Sequence, residues 1–413
     1  MTEPHRAKEP TPVAAALIGG KHLYDEAEAL SGVLSAWRHE LHQSPELGLS
    51  TPLTTKYIFD TLSNMGLEPK VGNAGEVVVL LGLSDGPCIL LRADMDGLPF
   101  EERSGEPWAS VNGCAHACGH DMHSSSLLGA AKLLCSREED LRRIGGCVKL
   151  LFQPGEETLT GAAAVVSDGV LNAPQVDAAF ALHVNGRCPM GLMIYGDNEF
   201  AGAWSFRIVL HGRGGHGSAP QKCNDPITAG AHIHGVLPGL VESTVGDASE
   251  AVISIGSFHG GTAPNAIPDE CRLEGTMRAF RPEVLSELKR DVIRTVQRIA
   301  CEHGCTADVE SLSAVPPVNV DASQTSACLS YIGSAQPDIR FRGIQHSLGA
   351  EDFAFISERV PSAYLTVGAA VRDTDNHFSM HDPRIRFDDA ALPMCAAAYA
   401  SVALGWIADH VSQ

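Results

Sequence analysis

Between residues 114 and 123 the chain reads Cys-Ala-His-Ala-Cys-Gly-His-Asp-Met-His, six potential metal ligands within ten residues. Thiolate and imidazole together suit zinc or a similar divalent ion, and a Cys-x-His spacing lets both side chains reach one centre from a glycine-containing turn. The bland alternative is a loop with incidental polar residues. A structural zinc finger would need a second compact Cys/His pair, and none follows. Further along, Phe152-Gln-Pro-Gly-Glu156-Glu157 closes an apolar strand pattern. Adjacent carboxylates usually mark a solvated turn, but α/β proteins place ligand sites at strand C-termini. There, one carboxylate can hold a metal while its neighbour acts as general base. His183 closes the apolar run Ala178–Leu182, Asp94 and Asp96 follow another such run, and His381 sits in Ser-Met-His-Asp-Pro. Each signal alone is modest. Their repetition at successive strand ends points to a cluster able to hold two metal ions that share a water.

The elements that must position these residues follow from hydrophobic periodicity. A polar arm, residues 1–22, is expected to be poorly ordered. Helices are expected over 24–43 and 51–65, strands over 77–83 and 89–92, a helix over 124–134, a strand over 147–152, a helix near 162–167 and a strand over 178–183. Strands alternating with helices predict an α/β layer with a mostly parallel sheet. From about residue 200 the order becomes β-α-β-β-α-β (204–210, 226–241, 252–257, 272–279, 282–302, 306–312), a ferredoxin-like unit. After Pro316-Pro317 the helix–strand alternation resumes. The expected fold is therefore a mixed, mostly parallel α/β domain flanked by helices, in two pieces (23–198 and 317–413), with an inserted ferredoxin-like α+β domain over 199–316.

Composition narrows the function. The 413 residues carry 30 Lys+Arg against 50 Asp+Glu, a formal charge of −20, which argues against a nucleic-acid partner. Twelve irregularly spaced cysteines do not read as a disulfide framework, no secretory signal is convincing, and a cytoplasmic, reduced protein is expected. The apolar stretch 390–408 reads as a buried terminal helix rather than a membrane span, so no membrane partner is expected. Gly212-Arg-Gly-Gly-His-Gly217 fits a dinucleotide fingerprint, but Pro220 and Pro226 interrupt the helix that a pyrophosphate would need.

At these residues the sequence resembles the metal-dependent aminoacylase/carboxypeptidase family, and within it the N-acyl-amino-acid amidohydrolase branch with hippurate hydrolase and the plant auxin-conjugate hydrolases. The segments LHQSPELG, LRADMDGLP, HACGHDMHSSSLLGAA, LLFQPGEE, GRGGHGSAP, NAIPDECRLEGTMR and MHDP carry the resemblance, in one order from about Trp37 to the C-terminal helix. It implies that Cys118, His120, Glu157, His183 and His381 ligate two divalent ions, with Cys118 bridging, and that zinc, manganese, cobalt or nickel could serve. It implies Glu156 as general base and Asp96 as a carboxylate orienting a ligand, while Asp94 stands where the wider family has that ligand histidine. His216 would reach the active site across a homodimer to stabilise the oxyanion, and Asn265 with Arg278 would grip the substrate carboxylate. His116 and His123 are assigned supporting roles. The loop Thr158-Leu-Thr-Gly161 and the pair Ser124-Ser125 depart from the commoner family pattern. The implied reaction is hydrolysis of N-acyl or N-aroyl amino acids. A carboxypeptidase or dipeptidase of the same family, or a non-catalytic binder of small acyl amino acids, are the alternatives.

Overall fold

The computed structural model describes residues 9–196, 200–247, 249–343, 348–372 and 378–411. The chain forms two compact units, the second built from Phe200–Val318 together with residues 348–354. That short piece lies outside the 199–316 segment expected from sequence. It belongs to the second unit because Arg278 Nη1 donates to Leu348 O (2.7 Å) and Ala201 N to Gly349 O (2.8 Å).

The first unit is organised on an eight-stranded sheet. Its order is Lys70–Val71, Val77–Gly82, Cys147–Gln153, Cys88–Asp94, Ala178–Asn185, Ser362–Gly368, Leu192–Tyr195, Arg340–Gly343. The four central strands from Cys147–Gln153 to Ser362–Gly368 are mutually parallel. Strands 88–94 and 147–153 are buried at every residue, which is why they read as unbroken apolar runs rather than alternating ones. Parallel neighbours end on the same side, so Asp94, Gln153 and Asn185 bring their following loops to one edge. That shared edge is what assembles the site.

Two buried helices, His120–Cys135 and Ala391–Val411, pack together beneath this sheet's residues. Gly129 permits the close approach, since a Cβ there would stand 2.6 Å from Leu34 Cδ2 and 2.9 Å from Ala396 Cβ. The helix 391–411 is long and apolar enough to cross a membrane by composition, yet it is buried among the other elements of the unit.

Three local expectations are corrected. The supposedly disordered arm contains a helix, Pro12–Ile18, whose start is capped by Thr11 Oγ1 accepting from Ala14 N (3.2 Å). Ala14 and Ile18 are buried and the helix packs on 391–411, so a six-residue apolar run too short for a signal finds its partner in the chain's other end. The single helix expected over 24–43 is two, Lys21–Ala29 and Ser31–His42, separated at Leu30. Likewise 226–241 is interrupted at Leu237–Gly239, because Pro238 has no amide proton to continue the helix.

The second unit carries a four-stranded antiparallel sheet, ordered Thr306–Val315, Gly202–His211, Glu270–Ala279, Ala251–Gly260. Trp204, Phe206, Ile208 and Leu210 alternate inward and meet Leu288, Val292, Val296 and Ile299 of the helix Pro282–Glu302. One face is thus covered and the other carries polar residues such as Arg207, as period-two patterning demands.

Candidate active site

The site begins with the turn that delivers Cys118 and His120. Gly119 takes φ +88°, a left-handed conformation that starts the helix at His120, and a Cβ there would lie 2.5 Å from Val184 Cγ2. Only glycine meets both demands. His120 Nδ1 lies 2.9 Å from the carbonyl of Asp96. Donation to that oxygen puts a ring proton on Nδ1; against the effect of burial, Asp94 and Cys118 push His120 well above its usual value, so a cation would take the place of the proton at Nε2. His120 Nε2 has no hydrogen-bond partner among the described residues although it is fully buried.

Asp96 is the hub of the strand-end edge. Its Oδ1 accepts from Glu156 N (3.0 Å) and its Oδ2 from Glu157 N (3.2 Å), while its carboxylate stands 3.5 Å from His120 Nδ1. It therefore orients His120 chiefly through its backbone oxygen and uses its carboxylate to hold the Glu156-Glu157 turn. Gly155, at φ +79°, makes that turn possible. Gly161 packs so tightly against Pro154 O that no side chain fits there, and Thr158 Oγ1 donates back to Gly155 O (3.0 Å).

Around Cys118 Sγ the structure gathers His183 Nε2 at 3.3 Å and His381 Nε2 at 3.2 Å. His183 Nδ1 lies 2.6 Å from Val184 O, so it too holds its proton on Nδ1 and offers Nε2. His381 adopts φ +68°, a strained conformation for a non-glycine residue, and is pinned by His381 N donating to Ala117 O (3.0 Å). Glu157 Oε2 lies 3.6 Å from His381 Nε2, and Glu157 Oε1, fully buried, has no hydrogen-bond partner among the described residues. Two donor triplets result, Cys118–His120–His183 and Cys118–Glu157–His381, each with its ligand atoms within 4.8 Å of one another. Cys118 belongs to both.

Electrostatics fit a cationic occupant. Burial pushes the Cys118 thiol well above its usual value and Glu157 up to about 7, the latter helped by Asp96 and Asp94. Burial and His123 hold His183 well below its usual value, as the neutral imidazole. A divalent cation would supply the charge these anionic donors lack and would make the thiolate the stable form. The residues present thus fit a pair of metal ions by donor chemistry and by their two orphaned buried atoms.

Two sets of residues gain roles that local patterns did not reveal. Val184 N donates to His123 Nε2 (2.9 Å), so His123 carries its proton on Nδ1, which faces Asp94 Oδ1. Both nitrogens are engaged within the fold, and His123 fixes the strand beside His183 rather than offering a lone pair. Asp94 also accepts from Arg92 Nη1 (2.8 Å); against the effect of burial, His120, His123 and Arg92 hold its carboxyl well below the usual range. Ser124 Oγ donates to Asp94 O (2.9 Å), giving that family departure a supporting contact. His116 is buried and pushed by that burial down to about 3, a neutral ring outside both triplets. The other set is Arg38, His42, Glu102 and Asp121, buried behind His120. Its members lie far apart in sequence, and only the buried Arg and His one helical turn apart in 38–42 could have hinted at it.

Three expected residues lie in the second unit. His216 sits on a two-stranded ribbon opposite Ala266, and Gly217 N donates to Asn265 O (2.8 Å), so His216 and Asn265 are brought together. Both are exposed. Arg278 is on the Glu270–Ala279 strand, with Nη1 on Leu348 O.

The profile of Peptidase family M20/M25/M40 matches residues 90–405. The chain belongs to that family. It is therefore a metal-dependent hydrolase of linear amide bonds. Among its relatives, the N-acetylcysteine deacetylase of Bacillus subtilis is 33% identical over 373 residues, covering 89% of this chain and 95% of the relative. The IAA-amino acid hydrolase ILR1-like 4 of Arabidopsis thaliana is 33% identical over 379 residues, covering 90% and 85%. The solved YXEP protein of Bacillus subtilis, described as a dinuclear metal-binding peptidase from the M20 family, superposes with a TM-score of 0.78 at 31% identity, over 91% of this chain and 98% of that one.

Proposed function

We propose that this M20 protein hydrolyses the amide bond of N-acyl or N-aroyl amino acids to a carboxylic acid and a free amino acid. The observation that carries it is the pair of donor triplets joined at Cys118, with Glu156 at their border: its Oε2 is 3.8 Å from His120 Nε2. Relatives named for deacetylating N-acetylcysteine and for cleaving auxin–amino acid conjugates share that bond type.

Cys118, His120, Glu157, His183 and His381 would hold two divalent cations, which when bound polarise an amide carbonyl and acidify an attacking water. Zinc and manganese suit the mixed sulfur, nitrogen and oxygen donors, as do cobalt and nickel. Glu156 takes the water's proton and returns it to the departing amine, one group serving both steps. Asp96 holds Glu156 in place through its backbone amide. His216, supplied by the other subunit of a homodimer, donates to the developing oxyanion. Arg278 and Asn265 bind the α-carboxylate, a task suited to the planar guanidinium fork. Twelve unpaired cysteines suit the reducing cytoplasm proposed as the protein's location.

The test is Glu156→Gln assayed on a panel of N-acetyl, N-benzoyl and dipeptide substrates alongside metal analysis. Turnover should fall by about 10²–10⁴ with metal content retained. Full activity in that variant overturns the mechanism, and cleavage of the dipeptides alone favours a dipeptidase.

A further inference from the structure

The segment from Arg38 to Leu49, with its Leu-His-Gln-Ser-Pro-Glu-Leu-Gly stretch, supplies no ligand and no base, yet it touches most of the loops that do. Arg38, fully buried, donates from Nε to Asp121 Oδ2 (2.9 Å) and from Nη1 to Phe387 O (3.0 Å) and to the Asp389 carboxylate. Asp121 adjoins His120. Phe387 lies beyond His381, and its ring stands 3.4 Å from where a Cβ on Gly119 would be. One guanidinium thus ties the Cys118–His120 turn to the segment that follows His381. His42, one helical turn on, spans Asp121 Oδ2 (2.8 Å) and Glu102 Oε1 (3.0 Å). With a carboxylate on each nitrogen the ring is held as the doubly donating imidazolium. Glu46 O accepts from Gly97 N (2.7 Å), fixing the residue after Asp96.

Stability alone does not account for this arrangement. Removing an arginine and the carboxyl groups of Asp121 and Glu102 from water costs more than apolar packing of the same volume, and such buried networks are frequently replaceable by hydrophobic residues without loss of stability. What apolar side chains cannot do is hold two loops in one register by directional bonds.

We infer that Arg38, assisted by His42, is a positioning residue that sets the spacing between His120 and His381 and thereby the affinity of the metal pair. This rests on the metal-binding reading above. Outer groups that orient ligand side chains typically govern metal affinity by 10–100-fold.

The experiment titrates Zn²⁺ alone into the metal-free full chain against a chromophoric chelator, for wild type, Arg38→Met, Arg38→Lys and His42→Gln, with circular dichroism showing which variants are folded. Arg38→Met should bind Zn²⁺ about 10–100-fold more weakly. Arg38→Lys should recover part of that loss, since a compact ammonium lacks the fork that reaches Asp121 and Phe387 O together. His42→Gln should shift in the same direction by less. A folded Arg38→Met with Zn²⁺ affinity within twofold of wild type overturns the inference while leaving the metal reading intact. If Arg38→Met does not fold, undiminished affinity in both Arg38→Lys and His42→Gln overturns it equally. A wild-type chain that takes up no Zn²⁺ overturns the metal reading and this inference together.

Discussion

His42 shows how an individual side chain can report on the ground state of this site. Against the effect of burial, Asp121 and Glu102 push it up to about 9; Arg38 and the neutral His116 ring are the other titratable groups around it. A folded-state pKa above the unfolded value of about 6.5 means that the charged ring stabilises the fold fully below pH 6.5 and progressively less until the pH passes about 9. The shift corresponds to roughly 3 kcal/mol. The stability gap between wild type and His42→Gln, read from denaturant unfolding of the metal-free protein, should therefore shrink steadily from pH 6.5 to 9.5. A gap independent of pH would mean that His42 is neutral in the fold.

Elements impose a different kind of constraint. Cys118 and His120 can converge only because residue 119 starts a helix in left-handed conformation against Val184. Gly119→Ala should destabilise the fold by roughly 2–5 kcal/mol, the sum of the left-handed backbone cost and overpacking. A melting temperature equal to wild type would refute that account. The helix Pro12–Ile18 makes a similar case at the other end of the chain. Ile18→Ala should cost about 2–4 kcal/mol through the cavity it leaves against the terminal helix. Thermal unfolding would register this as a drop of several degrees, whereas a disordered arm would tolerate the change. Sequence periodicity located most of these elements to within a few residues. It missed the breaks at Leu30 and Leu237, where the apolar spacing runs on while the backbone turns.

For the whole molecule, the donor set predicts strong coupling between metal and stability. Removing the metal by dialysis against chelator should lower the melting temperature, and adding Zn²⁺ at about 100 times its dissociation constant should restore roughly 2.7 kcal/mol per site. Unchanged melting with and without metal would contradict ligation by residues drawn from four separate stretches of chain. The residues proposed to ligate and to abstract protons stand out in the chain by type and spacing, and the fold brings the donor atoms of Cys118, His120, Glu157, His183 and His381 together. Cysteine, histidine and paired carboxylates are scarce, and strand ends are where an α/β sheet exposes them. Tertiary structure alone decided which nitrogen of His120 and of His183 is tied to a backbone carbonyl, that Asp96 works through both its carbonyl and its carboxylate, and that Arg38 reaches Asp121 and Phe387 across 83 and 349 residues. The physical reason is one of range. Side-chain type and periodicity are local properties, whereas a hydrogen bond between distant segments exists only once the sheet has set their loops side by side.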